Sequence, residues 1–388
     1  MTEMKNGLKR YSKNPAIYLP VLFVIGRVIL FLSLPLEGIR GYGDLWNFYN
    51  QSQLGVPFLD YWTEFPPLFP FLSYFVSFVT EGKQHSFDYL LAGLFTAAQA
   101  GTLYFFVKLN KLAHEESEQK ARNLLYFSLL LPLFYGWGYF DPLAVFFMIA
   151  AIYALTKGKD LSAGFMIILG TLTKWFPLMV IPVIWKKKPW KRALVITIFI
   201  VGIMALVWGS LFVFNFEMTQ ASFTAQLKKG SWETLWALID GNLSTGNFVP
   251  EIDRQRPQTA LLSSGNSPKV SPWITLLAFA GFGFWLYLKI KLQDTRQLIS
   301  FVGLTFIIFF LWSPGYSPQW LLYLLPMIFL SLPTSEAGLF GLVLVLINLL
   351  EWPVLLSRGF FWSLYLIVPL RILVMALLGF SFYRSVHD

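Results

Sequence analysis

The chain has 388 residues, of which 56% are apolar and 18% aromatic but only 13% charged, and its formal charge is +9. A water-soluble protein of this length needs a far more charged surface, so the composition points to an all-α polytopic membrane protein. The absence of cysteine excludes disulfides and thiolate metal sites, and the positive excess suits basic cytoplasmic loops better than a nucleic-acid surface.

Residues 1–14 carry Lys5, Lys9, Arg10 and Lys13, which places this end in the cytoplasm. An apolar run from about Pro15 to Leu36 follows. It lacks a small-residue cleavage site and is too long for a signal-peptide core, so it reads as a retained anchor. Arg27 lies inside it, either snorkelling toward an interface or facing a polar cavity that binds an anion. The helix delivers to the outside the stretches 41–49 and 60–68. There Asp44, Asp60 and Glu64 stand among Tyr42, Trp46, Phe48, Tyr49, Tyr61 and Trp62. Acids beside a membrane face are tolerated where they meet water, a cation or a substrate, and the rings suit the headgroup layer. Asp44 lies one to two turns from Trp46, Asn47 and Asn50 on what reads as a short amphipathic surface helix. This loop is the candidate active site.

The run 66–79 is too short to span, and Pro66, Pro67 and Pro70 suit a helix start, so it reads as a half-helix that stays outside. The run 88–107 returns to a basic cluster, Lys108, Lys111, Lys120 and Arg122. Shorter helices over about 123–135 and 142–156 flank a tight external turn that carries Asp141. Residues 161–185 have the length of one span but basic residues at both ends: Lys157 and Lys159 before, Lys186, Lys187, Lys188, Lys191 and Arg192 after. A single crossing would strand one cluster outside. Two half-helices broken at Thr173-Lys174-Trp175-Phe176-Pro177 would not. A lysine at the tip of such a break is costly unless it faces an anion or a wet cavity.

A helix over about 193–214 leads to the largest external segment, 215–270. A short helix is expected there, with Ser231 as N-cap and Trp232, Leu235, Trp236 and Ile239 on one face. A Gly-, Asn-, Ser- and Pro-rich loop follows. Lys228, Lys229, Arg254 and Arg256 give the segment a basicity that suits either solvent or a phosphate headgroup. The remaining spans are about 272–288, 297–312, a helix ending near Leu332, 337–350 and 364–381, and they return both ends to the cytoplasm.

Four stretches taken together resemble the GT-C glycosyltransferases, most closely the polyprenol-phosphate-mannose-dependent branch, family 87 and its relatives. They are Asp44 with 55–61 and 64–68, the turn Gly138-Tyr-Phe-Asp141, the break 170–177, and Ser317-Pro-Gln-Trp320. The resemblance runs from the first helix to about residue 326. It implies a GT-C fold of about 11–13 membrane helices, half-helices included, in one domain, with an N-terminal module (about 15–215) and a variable C-terminal module (about 216–388). Extracytoplasmic loops would form the active site, in a multi-pass protein of a prokaryotic plasma membrane.

The implied reaction moves a hexose, mannose in this branch, from a polyprenyl-phosphate donor to a lipid- or glycan-linked acceptor hydroxyl, with inversion. Asp44 holds the position of the family's catalytic acid and would act as general base. Lys174, Arg27, Lys228 or Lys229 would hold the leaving phosphate. Asp60, Glu64, Asp141 and Gln319 would bind sugar or acceptor hydroxyls, with Trp46, Tyr61 and Trp232 stacking on the pyranose face. No organic cofactor is implied. Asp44-Leu-Trp stands where a strict acid-x-acid pair would be, which leaves a divalent metal unassigned. Membrane lipids are the other expected partners, and nucleic acid is not one. Two other readings stay open: a lipid or sugar flippase, which should show inverted repeats that are not evident here, and a non-catalytic subunit of a transferase complex, against which an intact Asp44 argues.

Overall fold

The computed structural model describes residues 14–387, so the basic cluster Lys5, Lys9, Arg10 and Lys13 lies outside the described residues. Among these residues there are helices and isolated backbone bridges but no strand. Seven helices are long and apolar enough to cross a membrane, and four shorter apolar ones accompany them, Leu68–Val79, Asp141–Thr156, Asp160–Thr173 and Pro318–Ser331. This is an integral multi-pass protein. Its backbone polar groups close within helices, as lipid requires.

The first half contains α1 (Pro15–Ser33), α2 (Leu36–Arg40), α3 (Leu45–Ser52), α4 (Leu68–Val79), α5 (Gln84–Ala113), α6 (Glu116–Leu130), α7 (Tyr135–Gly138), α8 (Asp141–Thr156) and α9 (Asp160–Thr173). A 3-10 turn (Phe176–Val180) and α10 (Ile181–Lys187) follow, then α11 (Trp190–Phe214), α12 (Phe216–Lys228) and α13 (Leu235–Asp240). The last third is α14 (Pro272–Lys289), α15 (Thr295–Trp312), α16 (Leu321–Ser331), α17 (Thr334–Leu349) and α18 (Leu364–His387).

The expected break at Lys174 is present. Lys174 is extended (φ −157°, ψ 142°) at the end of α9, and Pro177 cannot donate back to the preceding turn. A Cβ on Gly170 would sit 2.8 Å from Pro177 Cγ, so only glycine lets the chain fold back this tightly. α9 rises about 21 Å over 14 residues, and the 3-10 turn with α10 descends about 20 Å. The lengths match, and the salt bridge Lys188 Nζ–Asp160 Oδ1 at 2.5 Å closes the base of the hairpin. Both basic clusters therefore share one side, and Lys174 is the tip.

Other charges gather around that base. Lys187 Nζ donates to Gln293 O at 3.1 Å, and Lys186 to Tyr287 O. Arg122 pairs with Glu118 at 2.6 Å and donates to Phe329 O and Leu332 O. Arg296 donates to Ser331 O, and Arg384 pairs with Glu336. This is the basic end of the molecule. The opposite end holds the loops after α1, before α8, at Lys174 and after α12.

Three expectations are corrected. α6 begins at Glu116 rather than near 123 and stops at Leu130. Its acidic first turn complements the helix dipole, and Arg122 is turned inward. In the long segment, 216–228 is helical, and the cap of α13 is Thr234, whose Oγ1 accepts from Ala237 N at 3.2 Å. Ser231 cannot cap it, because 231–233 are paired with 314–316: Trp232 N donates to Pro314 O and Tyr316 N to Trp232 O. Arg27 does not snorkel to an interface. It is buried, and its Nη2 donates to Gln99 Oε1 (3.0 Å), Leu130 O (2.8 Å) and Leu133 O (3.3 Å). The Leu130 carbonyl ends α6, where the helix dipole is negative and carbonyls lack partners, and Leu133 follows in the turn after it.

Candidate active site

The site begins with two glycines. Asp44 N donates to Gly138 O at 2.8 Å, and a Cβ on Gly43 would lie 2.5 Å from Gly138 Cα. The first loop is thereby clipped, backbone against backbone, to the turn that ends in Asp141. Side chains extend the clip: Trp137 Nε1 donates to Ile39 O at 3.2 Å, and Tyr139 OH and Trp352 Nε1 both donate to Tyr42 O. Asp44 then heads α3, and its Oδ1 accepts from Asn47 Nδ2 at 3.1 Å.

Asp44 is half-buried. Burial pushes its pKa up to about 6, and the negative charges of Glu64 and Asp141 push the same way. The Asn47 hydrogen bond and Lys174 oppose the rise. A carboxylate poised near neutrality, one oxygen of which accepts no hydrogen bond among the described residues, can take up a proton.

Around it stand three cations with different occupations. Lys174 Nζ pairs with the buried Asp141 at 2.6 Å, and its ammonium lies over Phe140, Phe176 and Trp320. Arg254 grips Glu64 with both terminal nitrogens, at 2.5 and 3.1 Å, and stacks 4.9 Å from Trp62. Burial would raise the Glu64 pKa, but Arg254 and then Lys229 outweigh it and hold Glu64 ionised. Lys229 makes no ion pair among the described residues; its ammonium rests on Trp232 (4.7 Å) and Phe248 (4.6 Å). Burial lowers its pKa, against the pull of Glu64 and Asp44.

The long segment reaches the site because it is strapped to the first loop. Trp62 N donates to Arg254 O, Trp62 Nε1 to Arg256 O, Thr63 N to Ser222 Oγ and Gln226 Nε2 to Glu64 O. Trp232 Nε1 in turn donates to Ser317 Oγ at 3.3 Å, tying in the turn that holds Gln319 and Trp320.

A family profile described as Glycosyltransferase family 87 matches residues 62–314, more than half of the chain. The chain belongs to glycosyltransferase family 87. No curated protein matches it. Among solved structures it is similar to the crystal structure of the Archaeoglobus fulgidus oligosaccharyltransferase in the apo form, at 12% identity and a TM-score of 0.47. That match covers 97% of this chain and 56% of the length of the other.

For this family 87 chain, the expected residues divide by position. Asp44, Glu64, Asp141, Lys174 and Lys229 act on one another electrostatically. Half-buried Gln319 adjoins Trp320, whose ring faces Lys174. Asp60 is exposed and closes its own turn by accepting from Val56 N at 2.6 Å. Lys228 is exposed at the end of α12. Tyr61 is 1% exposed and offers no face, while Trp46 faces solvent beneath Arg40. Trp232 is taken up by Lys229 and Ser317. The pairing role of Arg254 was not singled out from the sequence; it lies in no motif and depends on long-range loop pairing. Among the described residues no three acidic or histidine side chains form a group that could hold a metal ion. The acids of the site do not fit one, since Asp141 and Glu64 already have cations.

Proposed function

We propose that this family 87 protein is a membrane glycosyltransferase that moves a hexose, mannose in our reading, from a polyprenyl-phosphate donor to an acceptor hydroxyl on a lipid or glycan, with inversion. The reaction would run on the extracytoplasmic face. The positive-inside rule supports that side, because Lys108, Lys111, Lys157, Lys159 and Lys186–Lys188 lie at the end away from Asp44. The observation that carries the reading is Asp44: half-buried, shifted toward neutrality, and surrounded by cations in a chain of this family.

The acceptor oxygen attacks the anomeric carbon from the face opposite the phosphate. A new C–O bond forms as the bond from that carbon to the phosphate oxygen breaks, and the electron pair leaves on the phosphate. The hydroxyl proton goes to Asp44 Oδ2, since Oδ1 is held by Asn47. The lipid phosphate leaves as an anion and needs positive charge rather than a general acid. Lys229, with no carboxylate of its own, is the cation best suited to it, and Lys174 can contribute only by sharing with Asp141. Asp44→Asn keeps the shape and removes the base. The expected result is retained donor binding with transfer reduced on the order of a hundredfold or more. Unchanged turnover would remove Asp44 from the mechanism.

A further inference from the structure

The rim of the site carries two aromatic rings that have no part in the chemistry of Asp44. Tyr42 and Asp44 flank Gly43, so their Cα atoms are at most about 7 Å apart. The contact of Gly43 with Gly138 and the Tyr139 OH bond to Tyr42 O (3.0 Å) fix both residues against one turn. Trp352 reaches the same carbonyl from the far end of the chain. Its Nε1 donates to Tyr42 O at 2.8 Å, and its own carbonyl accepts from Tyr135 OH. Hydrogen bonds thus hold the indole within two residues of the proposed base.

The two rings meet as a corner, with centroids 6.2 Å and planes 87° apart. Tyr42 is 49% exposed, and its side chain makes no hydrogen bond among the described residues; the backbone carbonyl does the tying. An interfacial belt accounts for rings at this level, but not for a frame that pins two of them beside one carboxylate. The approach is open, because Asn47, which holds Asp44 Oδ1, is exposed as well. The cations suited to the phosphate are more enclosed. The Lys174 side chain is 13% exposed beneath three rings, and Lys229 lies against Trp232 and Phe248. The exposed rim is therefore the side from which an acceptor arrives.

We infer that Tyr42 and Trp352 form an acceptor subsite, an aromatic corner on which the pyranose bearing the attacking hydroxyl stacks beside Asp44. A pyranose presents C–H groups on its face and hydroxyls around its edge. A ring face meets the first, and the Tyr42 hydroxyl meets the second. The inference rests on the glycosyltransferase reading for its ligand class.

Binding is read without turnover, by titrating methyl α-hexosides (manno, gluco and galacto) into the full chain in nanodiscs and following saturation-transfer NMR. At least one should bind wild type, and Tyr42→Ala and Trp352→Ala should each weaken it about tenfold. Tyr42→Phe keeps the ring face and should stay within about threefold of wild type. Both Tyr42 variants retain the tying carbonyl, so Tm and undecaprenyl phosphate affinity should not move. Trp362→Ala removes another exposed ring of the same outer segment (60%) and should bind as wild type. In transfer to the hexoside that binds, Tyr42→Ala should raise the acceptor KM and leave the donor KM and kcat unchanged.

Wild-type hexoside affinity in Tyr42→Ala or Trp352→Ala overturns the inference, as does an equal loss in Trp362→Ala or a wild type that binds none of the hexosides. A raised donor KM in place of a raised acceptor KM overturns the assignment to the acceptor. The glycosyltransferase reading fails separately, if wild-type protein that binds a hexoside and undecaprenyl phosphate transfers no sugar from any polyprenyl-phosphate donor.

Discussion

The two ends of the molecule treat charge in opposite ways. At the basic end, charges meet partners that complete them: Lys188 with Asp160, Arg122 with Glu118 and two carbonyls, Arg384 with Glu336. At the other end, among the described residues, Asp44 has one side-chain hydrogen bond, and Lys229 rests on two rings without a counter-ion. A half-buried charge left incomplete costs free energy that paired charges do not. The first end staples helices together. The second keeps electrostatic capacity for something that arrives.

That contrast can be broken most severely at Lys229. Lys229→Met keeps the apolar stem against Trp232 and Phe248 and removes the ammonium. Donor affinity should fall about ten- to a hundredfold, the value of a charge-assisted contact to phosphate, with Tm hardly changed. Titration of undecaprenyl phosphate into wild type and variant measures this, and equal affinities would move the phosphate site elsewhere.

Lys174 sits between the two behaviours, since it is both at the site and paired. Lys174→Met leaves Asp141, 1% exposed, without its cation, and should destabilise the fold by about 3 kcal/mol. The double variant Lys174→Met/Asp141→Asn should recover most of that loss. Denaturation of both variants reads the difference. If the single variant is as stable as the double, the pair is not a structural unit, and Lys174 belongs wholly with the site.

The smallest effect is expected at the basic end. Lys188→Ala removes a partly exposed pair worth about 1 kcal/mol or less. It should leave kcat and donor affinity at wild-type values, and a clear loss of turnover would mean that the hairpin base communicates with its tip.

The sequence was most readable where local chemistry decides structure. The Thr173–Pro177 break follows from a proline, and its fold-back from the misfit between basic flanks and span length; the Lys188–Asp160 contact bears that out. The first loop stood out because acids are scarce in so apolar a chain. What stayed hidden depends on contacts between distant segments. Ser231 looks like a cap until 231–233 are seen paired with 314–316. Tyr61 looks like a stacking ring, yet it is buried in the turn whose neighbours Trp62 and Thr63 are strapped to the long segment. Arg27 could not be placed between an interface and a cavity because no local pattern shows that the carbonyls of Leu130 and Leu133 lie beside it.

The general-base role of Asp44 is tested most directly by the pH dependence of transfer. An acid whose pKa is raised to about 6 is protonated, and useless as a base, below that value. With substrate well below KM, so that the rate reports kcat/KM of the unliganded protein, transfer should therefore rise with pH through an inflection near 6 and level off above it. The same inflection should be missing from the residual activity of Asp44→Asn. A profile flat from pH 4.5 to 8, or an inflection that persists unchanged in Asp44→Asn, would contradict the account.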